Sequence, residues 1–116
     1  MNSSIKKGLY IKKPWTDLIL EGKKTWELRG SQTHIREKIF IIESKTSLIV
    51  GECEVVDCLS LSKEMYESNF KKHQVNKLFS EISYKNLHAW VLGNVVKYKD
   101  PIPHKHKPGT VIWVNF

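Results

Sequence analysis

Three charged residues that lie close together, Lys24, Glu27 and Arg29, are the group in this sequence best suited to chemistry. A lysine can bind a phosphate and, when removed from water, can act as a nucleophile or a base. A carboxylate can accept a hydrogen bond from a nucleobase or shuttle a proton, and an arginine can clamp a phosphate or a carboxylate. A structural alternative stays open at this point, in which Glu27 and Arg29 pair within the fold and Lys24 is solvated.

Tryptophans form a second candidate set, since aromatic faces stack on nucleobases and contribute roughly 1–3 kcal/mol per base. Trp15 follows Pro14 at the start of a predicted helix, and both a cleft-lining role and a core role are open for it. Trp26 alternates away from Glu27, so we expect it in the core. Trp90 and Trp113 lie on later predicted strands and are also expected to fill the core.

The chain is basic, with a formal net charge of +7 from 19 Lys and Arg against 12 Asp and Glu. Its isoelectric point of about 9.4 is typical of proteins that meet phosphates or other anionic surfaces, although a merely solvated surface is the simpler alternative. The lysines predicted to contact nucleic-acid phosphates are Lys71, Lys72, Lys77, Lys105 and Lys107.

Neither a metal nor a cofactor is predicted. His104 and His106 can share a metal, but a complete site needs three or four ligands, so a solvated basic loop is the expectation there. Cys53 and Cys58 differ by an odd number of positions within one predicted strand, so they should face opposite sides and make poor zinc partners. The sequence contains no glycine-rich phosphate loop and no Ser-His-Asp arrangement.

The bulk features predict one soluble domain over residues 1–116 in the cytoplasm. No apolar run approaches the roughly 20 residues that a membrane helix needs, and the N-terminus lacks the apolar segment of a signal peptide. Two cysteines form no disulfide framework, which fits a reducing compartment.

Short strands and a few helices must position the charged group. The pattern predicts strands at 8–11, 25–29, 38–43, 47–59, 88–98 and 110–116, helices at 14–21 and within 62–80, and loops at 30–33 and 100–109. Gly51 is a predicted bulge, Ser62 a helix cap, and the second helical segment should break near His73. Many strands and few helices favour an α+β domain with a curled, barrel-like sheet.

The stretch from Gly8 to Arg29, GLYIKKPWTDLILEGKKTWELR, resembles the signature of the ASCH (activating signal cointegrator homology) family. That signature is a strand, a Pro-aromatic helix start, an apolar helix and then Gly-x-Lys-Thr-x-Glu-x-Arg. The later segments LIVGECEVVDCLSL, HAWVL and PGTVIWVNF are similar to the central, late and closing strands of the family.

The resemblance implies a PUA-like mixed β-barrel with a short N-terminal helix, a helical insert and a cleft beside the first helix. Relatives bind RNA or DNA, one bacterial branch is an N(4)-acetylcytidine amidohydrolase, and another branch is reported as a ribonuclease. The resemblance therefore implies that Trp15, Lys24, Glu27 and Arg29 bind a ligand, with RNA or a modified nucleoside as the leading partner. A small metal-free hydrolase and a protein-interaction module are the alternatives.

This sequence departs from the amidohydrolase branch at one position. Where that branch has a catalytic threonine, this chain has Glu27, and we hypothesise that Glu27 takes over the acid–base role beside Lys24. The branch also uses a later glutamate, and no position in this sequence matches it clearly. Glu52 and Glu54 lie in the central predicted strand, and Glu64, Glu67 and Glu81 lie near the helical insert.

Overall fold

A six-stranded mixed sheet forms the body of the protein, and the computed structural model describes residues 4–105 and 112–116 of it. The elements follow in the order β1 Lys7–Ile11, α1 Trp15–Leu20, β2 Trp26–Arg29, β3 Lys38–Glu43, β4 Leu48–Ser60, α2 Lys63–Ser68, α3 Phe70–His73, a 3-10 turn Phe79–Glu81, β5 His88–Pro103 and β6 Trp113–Asn115. Across the sheet the strand order is β2-β5-β4-β3-β1-β6. Only β1 and β3 pair in parallel among the described strands.

The sheet is open, so the predicted closed barrel is not confirmed, although the α+β class is. In the described part of the chain β2 and β6 lie at opposite ends of the strand order and do not pair with each other. Both end strands are short, four residues in β2 and three in β6 against 13 in β4 and 16 in β5, so they offer few backbone groups for closing the sheet.

An irregularity lies beside Gly51, where a bulge was predicted, and its extra residue is Val50. The register of β3 against β4 shifts between Ile41 and Ile42, which pair with Gly51 and Ile49 respectively. A Cβ on Gly51 would collide with the carbonyl oxygen of Val96, so the absent side chain allows β4 and β5 to approach each other.

A second irregularity changes the alternation of β4. Val55 pairs with Leu92 and Asp57 with Val91, which leaves Val56 as an extra residue. Cys53 and Cys58 consequently pack against the same hydrophobic cluster, and the expectation that they face opposite sides was wrong. Both cysteines are free.

Strand β5 is longer than predicted, and the loop expected at 100–109 was wrong in its first part. Leu48 pairs with Pro103 and Ile49 with Ile102, which continues the strand to its end. Prolines are tolerated there because β2 pairs only with the first residues of β5, so the end of β5 has a free edge. Residues 106–109, with the predicted contacts of His106 and Lys107, lie outside the described residues.

The N-terminal elements agree with their predictions to within a few residues. Helix α1 buries Ile19 and Thr16, and Ile19 belongs to the main core cluster with Leu9, Ile39 and Trp90. No helix in the described ranges is both long and apolar enough to cross a membrane.

The helical insert packs on β2. Ser62 caps α2 as predicted, because its Oγ accepts a hydrogen bond from the backbone N–H of Met65 at 3.1 Å. The chain leaves α3 at Gln74 in the left-handed conformation (φ 62), directly after His73, where the break was predicted. Trp26 and Tyr66 share one buried cluster, which joins the insert to the sheet.

Candidate functional site

The four residues expected to bind a ligand, Trp15, Lys24, Glu27 and Arg29, line one cavity of about 490 Å³. Trp15 comes from α1, Lys24 from the loop after it, and Glu27 and Arg29 from β2. The remaining lining residues come from β1, the segment after it, β2, the 75–87 segment and the chain before β6: Tyr10, Lys12, Leu28, Val75, Lys77, Glu81, Ile82, Ser83, Tyr84, Leu87 and Ile112.

Lys24 is buried, with 1% of its surface exposed, so the alternative of a solvated lysine was wrong. The chain turns inward after α1 because Gly22 adopts a positive φ of 79, and the backbone N–H of Lys24 donates to the carbonyl of Leu18 at 3.1 Å. Burial lowers the pKa of Lys24 from 10.5 to about 8, against the opposing effect of Glu27, and Arg29 lowers the pKa further.

The C-terminal end of α3 holds this lysine. The Nζ of Lys24 donates to the carbonyl oxygen of His73 at 2.5 Å. The backbone N–H of Thr25 donates to the carbonyl oxygen of Lys72 at 2.9 Å. The last carbonyls of a helix carry partial negative charge, although α3 is short. They satisfy an ammonium group that would otherwise be buried without a close acceptor.

His73 is itself fixed by two hydrogen bonds that define its protonation. Its Nε2 lies 2.8 Å from the carbonyl oxygen of Tyr66, and the backbone N–H of Val75 donates to its Nδ1 at 2.9 Å. Because a carbonyl can only accept and an N–H can only donate, the ring is neutral with its proton on Nε2. Tyr66 stacks on the ring with 4.4 Å between centroids, and burial lowers the pKa of His73.

Glu27 uses its two carboxylate oxygens differently. Oε2 accepts hydrogen bonds from Nε and Nη2 of Arg29, at 3.0 and 2.8 Å, which is the ion pair that the structural alternative proposed. Oε1 lies 3.9 Å from Nζ of Lys24 and accepts no hydrogen bond from any residue that the structure describes. One oxygen is therefore committed to the fold, and the other is available to a ligand.

Arg29 is anchored on three sides. Besides Glu27, its Nη2 donates to the carbonyl oxygen of Tyr10 at 2.9 Å, and its guanidinium lies 5.4 Å from the centre of the Trp90 ring. The side chain is thus held by β1, β2 and β5, and it orients Glu27.

The aromatic residues divide as expected. Trp15 is partly buried, packs against the main core cluster and lines the cavity, so both roles left open for it apply. The Nζ of Lys24 lies 4.7 Å from the centre of its ring. Trp26 and Trp90 are buried as predicted, and Trp90 stacks on the half-buried Trp113 at 5.6 Å.

The predicted basic residues lie around the cavity only in part. Lys71 and Lys72 are exposed on α3 and do not line it, and the exposed Lys105 follows β5. Lys77 does line it, as does Lys12, which sequence reasoning missed. Among residues 4–105 and 112–116, no three or more His, Cys, Asp or Glu side chains are grouped as a metal site.

The 75–87 segment is the part of the cavity that the sequence did not predict. It contributes Glu81, Ser83 and Tyr84, and Glu81 is the one described residue lining the cavity among the five glutamates considered above. Its Oε1 accepts a hydrogen bond from the N–H of Leu78 at 2.8 Å. The only signal was an aromatic residue within a polar, irregular stretch.

The family model described as the ASCH domain matches residues 9–102 of the chain. The chain belongs to the ASCH domain family. ASCH domains are generally thought to bind RNA. No curated protein matches the chain in sequence.

Solved structures agree with this assignment of the fold. The crystal structure of ASCH from Zymomonas mobilis is similar with a TM-score of 0.74 and 13% identity, over 95% of this chain and 86% of that one. A tyrosine-to-phenylalanine mutant of that protein is similar with a TM-score of 0.74 and 13% identity, over 95% of this chain and 88% of that one. A serine-to-alanine mutant of the same protein is similar with a TM-score of 0.71 and 12% identity, over 95% of this chain and 87% of that one. At this identity the similarity concerns the fold of this ASCH domain alone.

Proposed function

We propose that this ASCH domain binds single-stranded RNA or a modified nucleoside, and that one nucleoside enters the cavity beside α1. The observation that carries the proposal is a buried donor and a buried acceptor facing the same cavity. Nζ of Lys24 and Oε1 of Glu27 lie 3.9 Å apart, with 1% and 7% of their side chains exposed.

Such a pair suits the edge of a nucleobase. Bases present hydrogen-bond donors and acceptors side by side, and proteins read those of unstacked bases in single strands. Glu27 would accept from an amino or imino group, and Lys24 would donate to a carbonyl oxygen or ring nitrogen. Because Arg29 occupies the other oxygen of Glu27, the carboxylate is oriented before a ligand arrives.

The surroundings favour the same ligand. Trp15 offers a ring at the cavity wall on which a base can stack. Lys12 and Lys77 line the cavity and can meet phosphates, in a chain of formal net charge +7. Lys71, Lys72, Lys105 and Lys107 remain candidates for further phosphate contacts.

The test is the fluorescence anisotropy of a short labelled single-stranded RNA with the wild type and Lys24→Met. Methionine keeps the length of the buried stem and removes the charge. We expect binding about tenfold weaker, which corresponds to about 1.4 kcal/mol. Lys99→Met is the control, since Lys99 is exposed on β5 and lines no cavity described here. Equal affinities for the wild type and Lys24→Met would refute the proposal, once thermal unfolding has shown that both are folded.

A second candidate function is hydrolysis of an acylated nucleoside such as N(4)-acetylcytidine, with Lys24 and Glu27 as the catalytic residues. The pKa of about 8 favours it, because roughly a quarter of Lys24 would be a neutral amine at about pH 7.5. A neutral amine can attack an acyl carbon or take a proton, and Glu27 can move protons beside it.

Chromatography of N(4)-acetylcytidine incubated with the protein tests this candidate, and a gel of intact RNA tests the ribonuclease alternative. Turnover that is lost in both Lys24→Met and Glu27→Gln would support catalysis. Turnover that is undiminished in Glu27→Gln would exclude the acid–base role of that carboxylate. If the protein neither binds RNA nor converts the nucleoside, a protein-interaction module becomes the best description.

A further inference from the structure

A second, smaller cavity of about 150 Å³ adjoins the first. The two share Ile82, Tyr84 and Leu87, so they lie on either side of one wall. Lys85 and Asn86 line only the smaller cavity. Its volume is below the roughly 300 Å³ at which pockets for drug-sized ligands begin, so it has room for one ring or sugar rather than for a second large ligand.

Tyr84 forms the exposed part of this wall. Its side chain is 47% exposed, although large aromatic residues usually bury most of their surface. The ring lies against the backbone of Gly30, where a Cβ would come within 2.6 Å of its Cδ1. Tyr84 therefore lies next to the end of β2, which is Arg29, and both residues line the larger cavity.

Polar groups in the smaller cavity are available to a ligand. The hydroxyl of Ser60 and the side-chain amide of Asn86 make no hydrogen bond to any residue in the described ranges. Lys85 is exposed and forms no ion pair there. A hydroxyl, an amide and an ammonium group next to an aromatic ring suit a base edge and a phosphate.

We propose that the smaller cavity is a subsite for the nucleotide that adjoins, along the RNA strand, the one held beside Lys24. Tyr84 stacks against a base at the boundary, Asn86 and Ser60 meet the edge of the second nucleotide, and Lys85 meets a phosphate. This inference rests on the proposed function and specifies the class of ligand. The preferred ligand is a strand of at least two nucleotides rather than a free nucleoside.

Calorimetric titration of the four nucleoside 5′-monophosphates and the four corresponding homodinucleotides tests the subsite. In the wild type we expect the best dinucleotide to bind about tenfold tighter than its monophosphate. The double variant Lys85→Ala with Asn86→Ala should lose this ratio and keep its affinity for the monophosphate, because neither residue lines the larger cavity. Tyr84→Phe should keep the ratio, and Tyr84→Ala should reduce it.

The outcomes separate the two proposals. Monophosphate binding that depends on Lys24, with no gain for the dinucleotide, would overturn the subsite and leave the proposed function standing. A gain that persists in the Lys85→Ala, Asn86→Ala variant would also overturn the subsite. If neither ligand binds to the folded wild type, both proposals fail, and a protein partner for the exposed Tyr84 becomes the alternative to pursue.

Discussion

The Nζ of Lys24 lies 3.9 Å from Oε1 of Glu27, too far for a hydrogen bond and close enough for strong electrostatic coupling in a buried site. Each group has its firm hydrogen bonds elsewhere, Lys24 with the carbonyl of His73 and Glu27 with Arg29. Both residues line the larger cavity. A donor and an acceptor are therefore fixed in position without satisfying each other, which is the arrangement a ligand can complete.

The lowered pKa of Lys24 predicts that this residue contributes stability that grows as the pH rises above about 8. The folded value of about 8 lies below the ordinary 10.5, so between these values the unfolded chain holds a proton that the folded chain has released. The free energy of unfolding then rises with pH across this window. Burial raises the pKa of Cys53 to about 12, which opposes this rise above about pH 9, so the contribution of Lys24 is measured as a difference between variants. Urea denaturation at about pH 7 and about pH 10 should show a more favourable change in the wild type and in Lys99→Met than in Lys24→Met. The same slope in all three would contradict the buried charge.

Acidification should destabilise the protein through His73. Burial lowers the pKa of His73 from 6.5, and the charge of Lys24 lowers it further. Protonation of Nδ1 would also set two donors against each other, because the backbone N–H of Val75 donates to that atom. The contribution of His73 to the free energy of unfolding is therefore fully present above about pH 6.5. It is lost as the pH drops from there toward the pKa of the folded state. His73→Phe keeps a ring for stacking on Tyr66 and removes the titration, so its stability should change less between about pH 7 and about pH 5. Nitrogen chemical shifts should show the proton of the wild-type ring on Nε2, and a proton on Nδ1 would be inconsistent with this geometry.

Gly51→Ala should destabilise the protein by roughly 1–3 kcal/mol, the usual cost of overpacking. The added Cβ would meet the carbonyl oxygen of Val96 and, at 2.6 Å, Cδ2 of Leu20. Gly93→Ala is the matched control, since a Cβ there has its nearest contact with Val56 at 3.4 Å. Chemical denaturation measures both, and equal effects would argue against a close approach specific to Gly51.

Trp15→Ala should weaken RNA binding by about tenfold, because a base loses its stacking surface at the cavity wall. Trp15→Phe keeps a smaller ring and should lose less. Anisotropy titrations give both affinities, with thermal unfolding as the check on folding, because Trp15 also packs on the core. If both variants bind like the wild type, Trp15 has a packing role alone.

Much of the fold was predictable because its signals are local. The alternation at 25–29, the apolar spacing in α1 with Gly22 after it, and the cap at Ser62 each depend on neighbours along the chain. The barrel was not confirmed, and the loop at 100–109 was wrong in its first part, because strand length and pairing depend on partners far away in sequence. Leu48, for example, extends β5 by pairing with Pro103.

The sequence by itself determined the family, the order of the elements and the charged group at Lys24, Glu27 and Arg29. Only the tertiary structure decided that Lys24 and Glu27 are buried and line one cavity. The acceptor for Lys24 is a carbonyl of His73, 49 positions away, and the cavity wall is completed by Tyr84. Burial, and with it the lowered pKa of Lys24, is a property of surfaces brought together by folding, and residue spacing along the chain does not specify which surfaces meet.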